Sequence, residues 1–215
     1  MDLYFSPMAC SLASRIAAYE AGADLRFICV DTHSKVVVED GSDFWKVTPM
    51  GQVPALRTDD GALLTENAAV LQYLAERHPA GSLAPVDEIA RAQLRQWIGF
   101  IGTELHKAVF VPRLDPKAPE SVKAYALDKA RLRLDVLEAH LAAHDHLLDR
   151  FSVADAYLTA ILNWAPYAAV DLAPWPSIVA YHKRMTARPS ISRAIGEEFE
   201  LYKAETRRRA AQAAP

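Results

Sequence analysis

This sequence contains few cysteines, little net charge and no long apolar runs. Two cysteines in 215 residues, Cys10 and Cys29, are too few for a disulfide framework and are expected to be reduced thiols. The formal net charge of -3 supplies no field for holding a polyanion, so nucleic acid is not an expected partner. No apolar run approaches the roughly 20 residues that cross a bilayer, and no export signal is recognisable at the N-terminus. These absences favour a cytoplasmic chain that binds neither nucleic acid nor membranes.

What the sequence does contain is a change of periodicity between its two parts. The first part alternates short apolar runs with helical segments, in the order β-α-β and then α-β-β-α, with an Asp-Gly hairpin turn inside VPALRTDDGALLTE. The segment HPAGSLAPVD, which contains two prolines and a glycine, is the best linker in the chain. We therefore predict a mixed α/β domain over residues 1–80, a linker over 81–87 and an all-helical domain over 88–215.

The second part shows only helical spacing. Leu94, Trp97, Ile101 and Leu105 would form one apolar stripe of a long first helix. Further amphipathic segments follow in SVKAYALDKARLRLDVLEAHLAAH, SVADAYLTAILNWA and PSIVAYHKRMTAR. No strand is predicted after the linker.

Two polar clusters in the helical part are interpreted as structural. Ser152 and Asp155 stand three apart before an apolar helix, a capping-box pattern that serves folding. His140, His144 and His146 could in principle hold a metal ion, but without a fourth ligand they are more typical of exposed histidines at a helix end. We predict no metal site.

The segment ACSLAS places Cys10 between a short apolar strand and a helix. Unpaired N–H groups and the positive dipole end at a helix N-terminus favour a thiolate over a thiol. Cys10 is therefore either a nucleophile or redox thiol, or a small apolar residue packed at a strand end. Cys29 lies inside the apolar run LRFICVD and is predicted to be a core residue.

Four motifs in order, SPMACSLASR, GQVPALRTDDGALLTENAAVLQYLA, TELHK and FSVADAYL, make a specific resemblance. The chain resembles the bacterial beta class of cytosolic glutathione transferases over nearly its whole length, weakening beyond about Glu198. The resemblance implies a thioredoxin-like N-terminal domain that binds glutathione, a helical C-terminal domain that shapes the second-substrate site, and a two-fold homodimer. Glutathione would be a co-substrate, and no other cofactor is implied. Thioredoxin relatives use Cys-x-x-Cys, but the resolving position here is Ala13, so a mixed disulfide would need an outside thiol.

The same resemblance implies the site residues. Cys10 and His106 would be catalytic, as hydrogen-bond partners of the glutathione thiol. The Val53-Pro54 peptide bond would be cis and would present the Val53 backbone to the cysteinyl part of glutathione. The implied glutathione-binding residues are Cys10, Lys35, Val53, Glu66, Asn67, Thr103, Glu104 and His106.

The resemblance also implies what several of these residues do. Lys35 would reach the glycyl carboxylate of glutathione. Glu66 and Asn67, at the start of a helix, would hold its γ-glutamyl end, with Asn67 in place of the Ser or Thr usual in the family. Thr103 and His106 are three apart, so we expect them to share one face of the long helix, with His106 acting as a donor or base near neutral pH.

These residues predict an enzyme that conjugates glutathione to small apolar electrophiles. A second, glutaredoxin-like activity would use Cys10 as the nucleophile toward glutathione mixed disulfides. Phe110, Trp164 and Tyr167 are candidates for the apolar wall of the electrophile site, and core packing explains them equally well. Gly99 stands where the family commonly has a glutathione-contacting asparagine. It keeps open the alternative of a catalytically weak transferase fold that binds apolar ligands or a protein partner.

Overall fold

The computed structural model describes residues 1–213, which divide into two compact units. The first unit comprises Met1–Gly81 and the C-terminal helix beginning at Pro189, and the second comprises Ser82–Arg188. The break after Gly81 falls within the segment predicted to be a linker. The structure assigns residues 189–213 differently from the prediction, because that helix packs against the first helix of the chain.

A five-stranded mixed sheet and three helices build the first unit. The strands are β1 (Asp2–Phe5), β2 (Arg26–Asp31), β3 (Val36–Val37), β4 (Ala55–Arg57) and β5 (Leu63–Thr65), and the helices are α1 (Leu12–Ala21), α2 (Asn67–Arg77) and α8 (Pro189–Ala213). The strand order is β3-β2-β1-β4-β5, with β1 and β2 parallel and the other neighbours antiparallel. The predicted hairpin is β4 and β5. The two-residue β3 was not predicted, because two valines show no alternation.

The two faces of this sheet bury different side chains, as the two-residue period of a strand requires. Tyr4, Ile28 and Val30 point to one face, where they form a buried cluster with Phe44. Phe5 points to the other face, under the helix α1. The turn that contains Cys10 therefore joins β1, the central strand, to a helix that packs over the Phe5 face of the sheet.

Helices are the only regular secondary structure among residues 82–188, which form the second unit. Its helices are α3 (Glu88–Phe100), a π-helical segment (Ile101–Phe110), α4 (Val111–Leu114), α5 (Glu120–Leu141), α6 (Val153–Leu162) and α7 (Pro176–Thr186). The capping box is confirmed, because the backbone N and the Oγ of Ser152 each donate to Asp155 Oδ2 at 2.9 Å. Asp155 also accepts from Tyr181 at 2.9 Å, and burial raises the pKa of its carboxyl. This buried network anchors α6 at the centre of the unit.

The long first helix is not a uniform α-helix. Leu94, Ile98, Ile101 and Leu105 are buried, whereas Trp97 is only half-buried. From Ile101 onward the backbone is π-helical, with hydrogen bonds from residue i to residue i+5. Periodicity could not reveal this change, because the apolar positions fit a regular α-helix nearly as well.

The described residues contain neither a membrane-spanning helix nor a metal-binding cluster. No helix within residues 1–213 combines the length and the apolarity needed to cross a membrane. No cluster of three or more His, Cys, Asp or Glu side chains in the same range could hold a metal ion. His140 and His144 instead stack on each other, with ring centroids 4.3 Å apart.

Candidate functional site

Cys10 lies in the turn between β1 and α1, half-buried and outside any disulfide. Its Sγ is 3.4 Å from the carbonyl oxygen of Val53, which accepts a hydrogen bond from the thiol. The Val53-Pro54 bond is cis, as expected. The N–H groups of Leu12 and Ala13 bond to carbonyls of the turn, so they are not the unpaired groups that the sequence argument assumed. The thiol form of Cys10 makes this bond, and the thiolate form would lose it, since a thiolate cannot donate to a carbonyl.

Asn67 ties Cys10 to the start of α2. Its Nδ2 donates to the Cys10 carbonyl at 2.8 Å, and its Oδ1 accepts from Ser14 Oγ at 3.2 Å. Ser14 and Asn67 are both buried. The Asn67 side-chain amide is thus engaged inside the protein by Cys10 and Ser14. The predicted side-chain contact with a ligand becomes a positioning contact for Cys10.

Lys35 is held at the edge of the same unit. Its Nζ donates to the Gly51 carbonyl at 2.7 Å and lies 5.6 Å from the centre of the Trp45 ring. Gly51 has a φ of 55°, and a Cβ there would stand 2.8 Å from the Trp45 ring, so only glycine fits this position. An ammonium has three donors, so Lys35 can bond a carboxylate while it keeps this carbonyl.

Backbone strain is concentrated around these residues. Three of the five non-glycine residues with positive φ within residues 1–213 are Met8, Lys35 and Glu66, with φ between 59° and 66°. Met8 stands two residues before Cys10, and the other two are predicted site residues. Left-handed non-glycine residues persist where the surrounding structure forces them, and they cluster at ligand sites. No sequence pattern marks them.

In the second unit, His106 is buried rather than exposed. Its Nδ1 lies 2.7 Å from the Tyr157 hydroxyl, and its ring centroid is 5.1 Å from that of Trp164. Burial, and then the charge of Lys107, lower the pKa of His106 to about 4. The imidazole is therefore neutral near pH 7. It can serve as a neutral donor or acceptor but not as a cation.

The expectation that Thr103 and His106 share a face is wrong. Thr103 is exposed and its Oγ1 donates to the Gly99 carbonyl at 3.0 Å, whereas His106 is buried. In a π-helix the neighbours on one face are further apart in sequence than in an α-helix, which separates a pair three residues apart. Glu104, next to Thr103, forms an ion pair with Arg133 of α5.

The three candidates for an apolar wall of the electrophile site differ in their exposure to solvent. Phe110 is fully buried and packs against Trp164, with ring centroids 6.3 Å apart, so it is a core residue. Trp164 is half-buried, and Tyr167 is largely exposed. Only the last two present surface to a ligand of this unit.

Cys29 is half-buried in β2 rather than fully in the core. Burial, reinforced by the charge of Glu205, raises the pKa of its thiol to about 11. Cys29 is therefore a neutral thiol near pH 7 and a poor nucleophile.

Sequence reasoning missed a buried ion pair beside the Cys10 turn. Arg15 lies between the rings of Phe5 and Phe27, at 4.2 and 4.0 Å from their centres, and its Nε donates to Glu198 at 3.0 Å. Glu198, on α8, also accepts from the Met8 N–H at 2.8 Å. Burial raises the pKa of Glu198 to about 7, against the opposing pull of Arg15. One signal was available: Arg15 interrupts the apolar face of α1.

The first unit thus brings several predicted residues together. Val53 and Asn67 each hydrogen-bond to Cys10, Glu66 precedes Asn67, and Lys35 bonds to the segment just before Val53. Thr103, Glu104 and His106 belong to the second unit, where only Thr103 and Glu104 contact each other.

Comparisons with known proteins agree with this architecture. A family model described as "Glutathione S-transferase, N-terminal domain" matches residues 5–82, and one described as "Glutathione S-transferase, C-terminal domain" matches residues 100–189. Glutathione S-transferase GstA of Escherichia coli O157:H7 is 42% identical over 200 residues, covering 92% of this chain and 98% of its own.

Solved structures give the same result. The ternary complex of BphK, a bacterial GST, matches with a TM-score of 0.89 at 40% identity, covering 92% of this chain and 99% of its own. A sphingomonad glutathione S-transferase complexed with glutathione matches with a TM-score of 0.87 at 42% identity, covering 92% and 98%. The bacterial beta class enzyme of Sphingomonas chungbukensis has a TM-score of 0.87 at 40% identity, with the same coverage.

These matches confirm the fold predicted from the sequence, a thioredoxin-like sheet domain followed by a helical domain. They also confirm the resemblance to the bacterial beta class. The chain therefore belongs to the glutathione S-transferase family and is an enzyme of that family.

Proposed function

We propose that this enzyme conjugates glutathione to small apolar electrophiles and also reduces glutathione mixed disulfides through Cys10. The observation that carries the proposal is the contact between Cys10 Sγ and the Val53 carbonyl, 3.4 Å apart. An extended peptide that hydrogen-bonds to the Val53 backbone would lie beside the Cys10 thiol. A relative of 42% identity was solved in complex with glutathione, which supports this choice of peptide.

In this proposal the first unit binds the tripeptide through groups already held in place. Lys35 pairs with the glycyl carboxylate, and Glu66 with the γ-glutamyl ammonium. The first-turn N–H groups of α2, beginning at Asn67, hold the γ-glutamyl carboxylate. Glutathione is the co-substrate, and addition of its thiolate to an electrophile is complete without a metal or a prosthetic group.

Thr103, Glu104 and His106 complete the proposed set of glutathione-binding residues. Cys10 and His106 are the two groups proposed to hydrogen-bond the glutathione sulfur. Hydrogen-bond donors directed at this sulfur stabilise its negative charge, so they favour the glutathione thiolate over the thiol. The account therefore assigns Cys10 two roles, as a donor in conjugation and as the nucleophile in thiol-disulfide exchange.

The exchange reaction can be followed by chemical mapping. The Cys10 thiolate attacks oxidised glutathione, a Cys10–glutathione disulfide forms, and one glutathione thiolate leaves. We expect one glutathione per chain on the peptide that contains Cys10, since the Cys29 thiol is neutral near pH 7. With Ala13 at the resolving position, the adduct should persist until a free thiol is supplied. Mass spectrometry that finds Cys29 modified first would overturn this assignment.

The proposed homodimer is supported by an apolar stripe on α5. Val122, Tyr125, Leu132 and Val136 are 42%, 62%, 67% and 50% exposed and lie along one side of the helix. Lys129 stands between them, with its Nζ 5.1 Å from the centre of the Tyr125 ring. Large exposed apolar surfaces of this kind mark protein contacts. We propose that a second copy of the chain covers this stripe.

Leu132→Glu should dissociate that dimer, because it puts a charge in the centre of the stripe. Leu127→Glu is the matched control, since Leu127 is also an exposed leucine of α5 but lies off the stripe. Sedimentation velocity at micromolar concentration should give twice the chain mass for the wild type and the control, and the single-chain mass for Leu132→Glu. A wild type that sediments as a single chain would contradict the proposal.

The proposed location is the cytoplasm. Reduced glutathione and cysteine thiols are both typical of a reducing compartment, and neither Cys10 nor Cys29 is in a disulfide.

A further inference from the structure

The hydrogen bond between His106 and Tyr157 joins two buried side chains of the second unit. The Nδ1 atom of His106 and the hydroxyl oxygen of Tyr157 are 2.7 Å apart, and the two residues are 7% and 3% exposed. Their rings meet edge to face, at 89°. At this distance a single proton lies between the two atoms, so one of them donates and the other accepts.

The chemistry of the two groups sets the direction of this bond. A phenol O–H is a stronger donor than the N–H of a neutral imidazole, and an imidazole nitrogen is a stronger acceptor than a phenol oxygen. The neutral state of His106 follows from its burial. The better donor therefore faces the better acceptor when Tyr157 donates to Nδ1.

We propose that Tyr157 is a positioning residue that fixes His106 as the tautomer with its proton on Nε2. The inference rests on the proposed function, in which His106 contacts the glutathione sulfur. With Nε2 protonated, His106 can only donate to that sulfur and cannot take the thiol proton. The proton released from glutathione then passes to solvent water, and the work of His106 is to stabilise the thiolate that remains.

Other contacts support a fixed ring. Trp164 packs against His106 with centroids 5.1 Å apart and the planes at 68°. Tyr157 itself lies on α6, whose residues are buried throughout and whose start is fixed by the Asp155 capping box. The hydroxyl is therefore presented from a rigid helix, as positioning of a functional group requires.

Nitrogen-15 NMR of His106 in the ligand-free protein tests the inference without relying on any activity. At pH 7 the wild type should show a protonated Nε2 and an unprotonated Nδ1. The opposite assignment would overturn the inference and leave the proposed function standing. This measurement needs no variant.

Tyr157→Phe adds a test whose sign depends on the direction of the bond. If Tyr157 donates to Nδ1, it stabilises the neutral imidazole, so the variant should raise the pKa of His106. If Nδ1–H donates to Tyr157 instead, the variant should lower it, and the inference fails. The conjugation kcat should fall roughly 10-fold with little change in the KM for glutathione, at the low end of the effect of partners that orient metal-binding histidines.

Tyr181→Phe is the matched control. It removes another buried hydroxyl of the same unit, one that donates to Asp155 at 2.9 Å. We expect a loss of stability from this variant but an unchanged His106 spectrum and kcat. Equal changes in both variants would show that Tyr157 has only a structural role.

Discussion

Cys10→Ala is expected to abolish the reduction of glutathione mixed disulfides while it leaves a good part of the conjugation activity. Only the exchange reaction needs a bond to the Cys10 sulfur, whereas conjugation loses one of two proposed donors. The two rates should be measured on the same preparation, with a glutathione mixed disulfide and with a chloronitrobenzene-type electrophile. An equal collapse of both activities would show that the two roles of Cys10 are misassigned.

His106→Ala should strongly reduce conjugation, in contrast to Cys10→Ala. Removing a preorganised donor from a charged reaction centre costs about 10²-fold or more in rate, so kcat/KM should fall by about that factor. His106→Gln, which keeps an N–H donor, should restore part of the loss. A conjugation rate unchanged by His106→Ala would remove this residue from the proposed site.

The lowered pKa of His106 predicts how stability and conjugation depend on pH. In the folded protein the pKa of His106 is lowered from 6.5 to about 4, so the unfolded chain takes up this proton first as the pH falls. The contribution of His106 to stability is therefore present above about pH 6.5 and is lost progressively toward pH 4. Conjugation should show no change between pH 5 and 8 that depends on His106.

Glu198→Ala is expected to be the most destabilising single substitution in the first unit. It leaves the Arg15 guanidinium, which is 4% exposed, without its buried partner, and it removes the acceptor of the Met8 N–H. Breaking a buried ion pair from one side costs about 3–5 kcal/mol. Denaturant unfolding at pH 8, where the Glu198 carboxyl is ionised, measures this cost.

Glu197→Ala is the matched control for that experiment. Glu197 precedes Glu198 on α8 and also pairs with Arg15, but its side chain is 39% exposed. In Glu197→Ala the Arg15 guanidinium keeps its buried partner Glu198, so no buried charge is left uncompensated and the loss should be clearly smaller. Similar losses for both variants would contradict the importance of the buried pair.

Several features of the fold and site could be predicted because they depend on local sequence. The Asp-Gly hairpin, the start of α2 at Asn67 and the capping box of Ser152 and Asp155 each rest on residues close together in the chain. Turn and cap chemistry acts over two to four residues, so a sequence displays it directly. The cis bond before Pro54 was predicted by resemblance and is confirmed.

The remaining features depend on contacts between distant segments. No local sequence pattern shows that Glu198 reaches Arg15, 183 residues earlier in the chain. The π-helical backbone changes which residues share a face, and this placed His106 in the interior beside Tyr157. Asn67 has the polarity expected of a ligand contact, yet its amide is used by Cys10 and Ser14. Tertiary packing determines these contacts, and a local sequence pattern does not display it.

Calorimetric titration with reduced glutathione tests the central claim most directly. In the first unit Val53 and Asn67 each bond to Cys10, and Lys35 bonds to the segment just before Val53, so we predict saturable one-site binding with a Kd of about 1 mM or tighter. Lys35→Ala should weaken it, because the glycyl carboxylate would lose its cation. No detectable heat of binding at millimolar glutathione would contradict the account and would favour a transferase fold that binds apolar ligands or a protein partner.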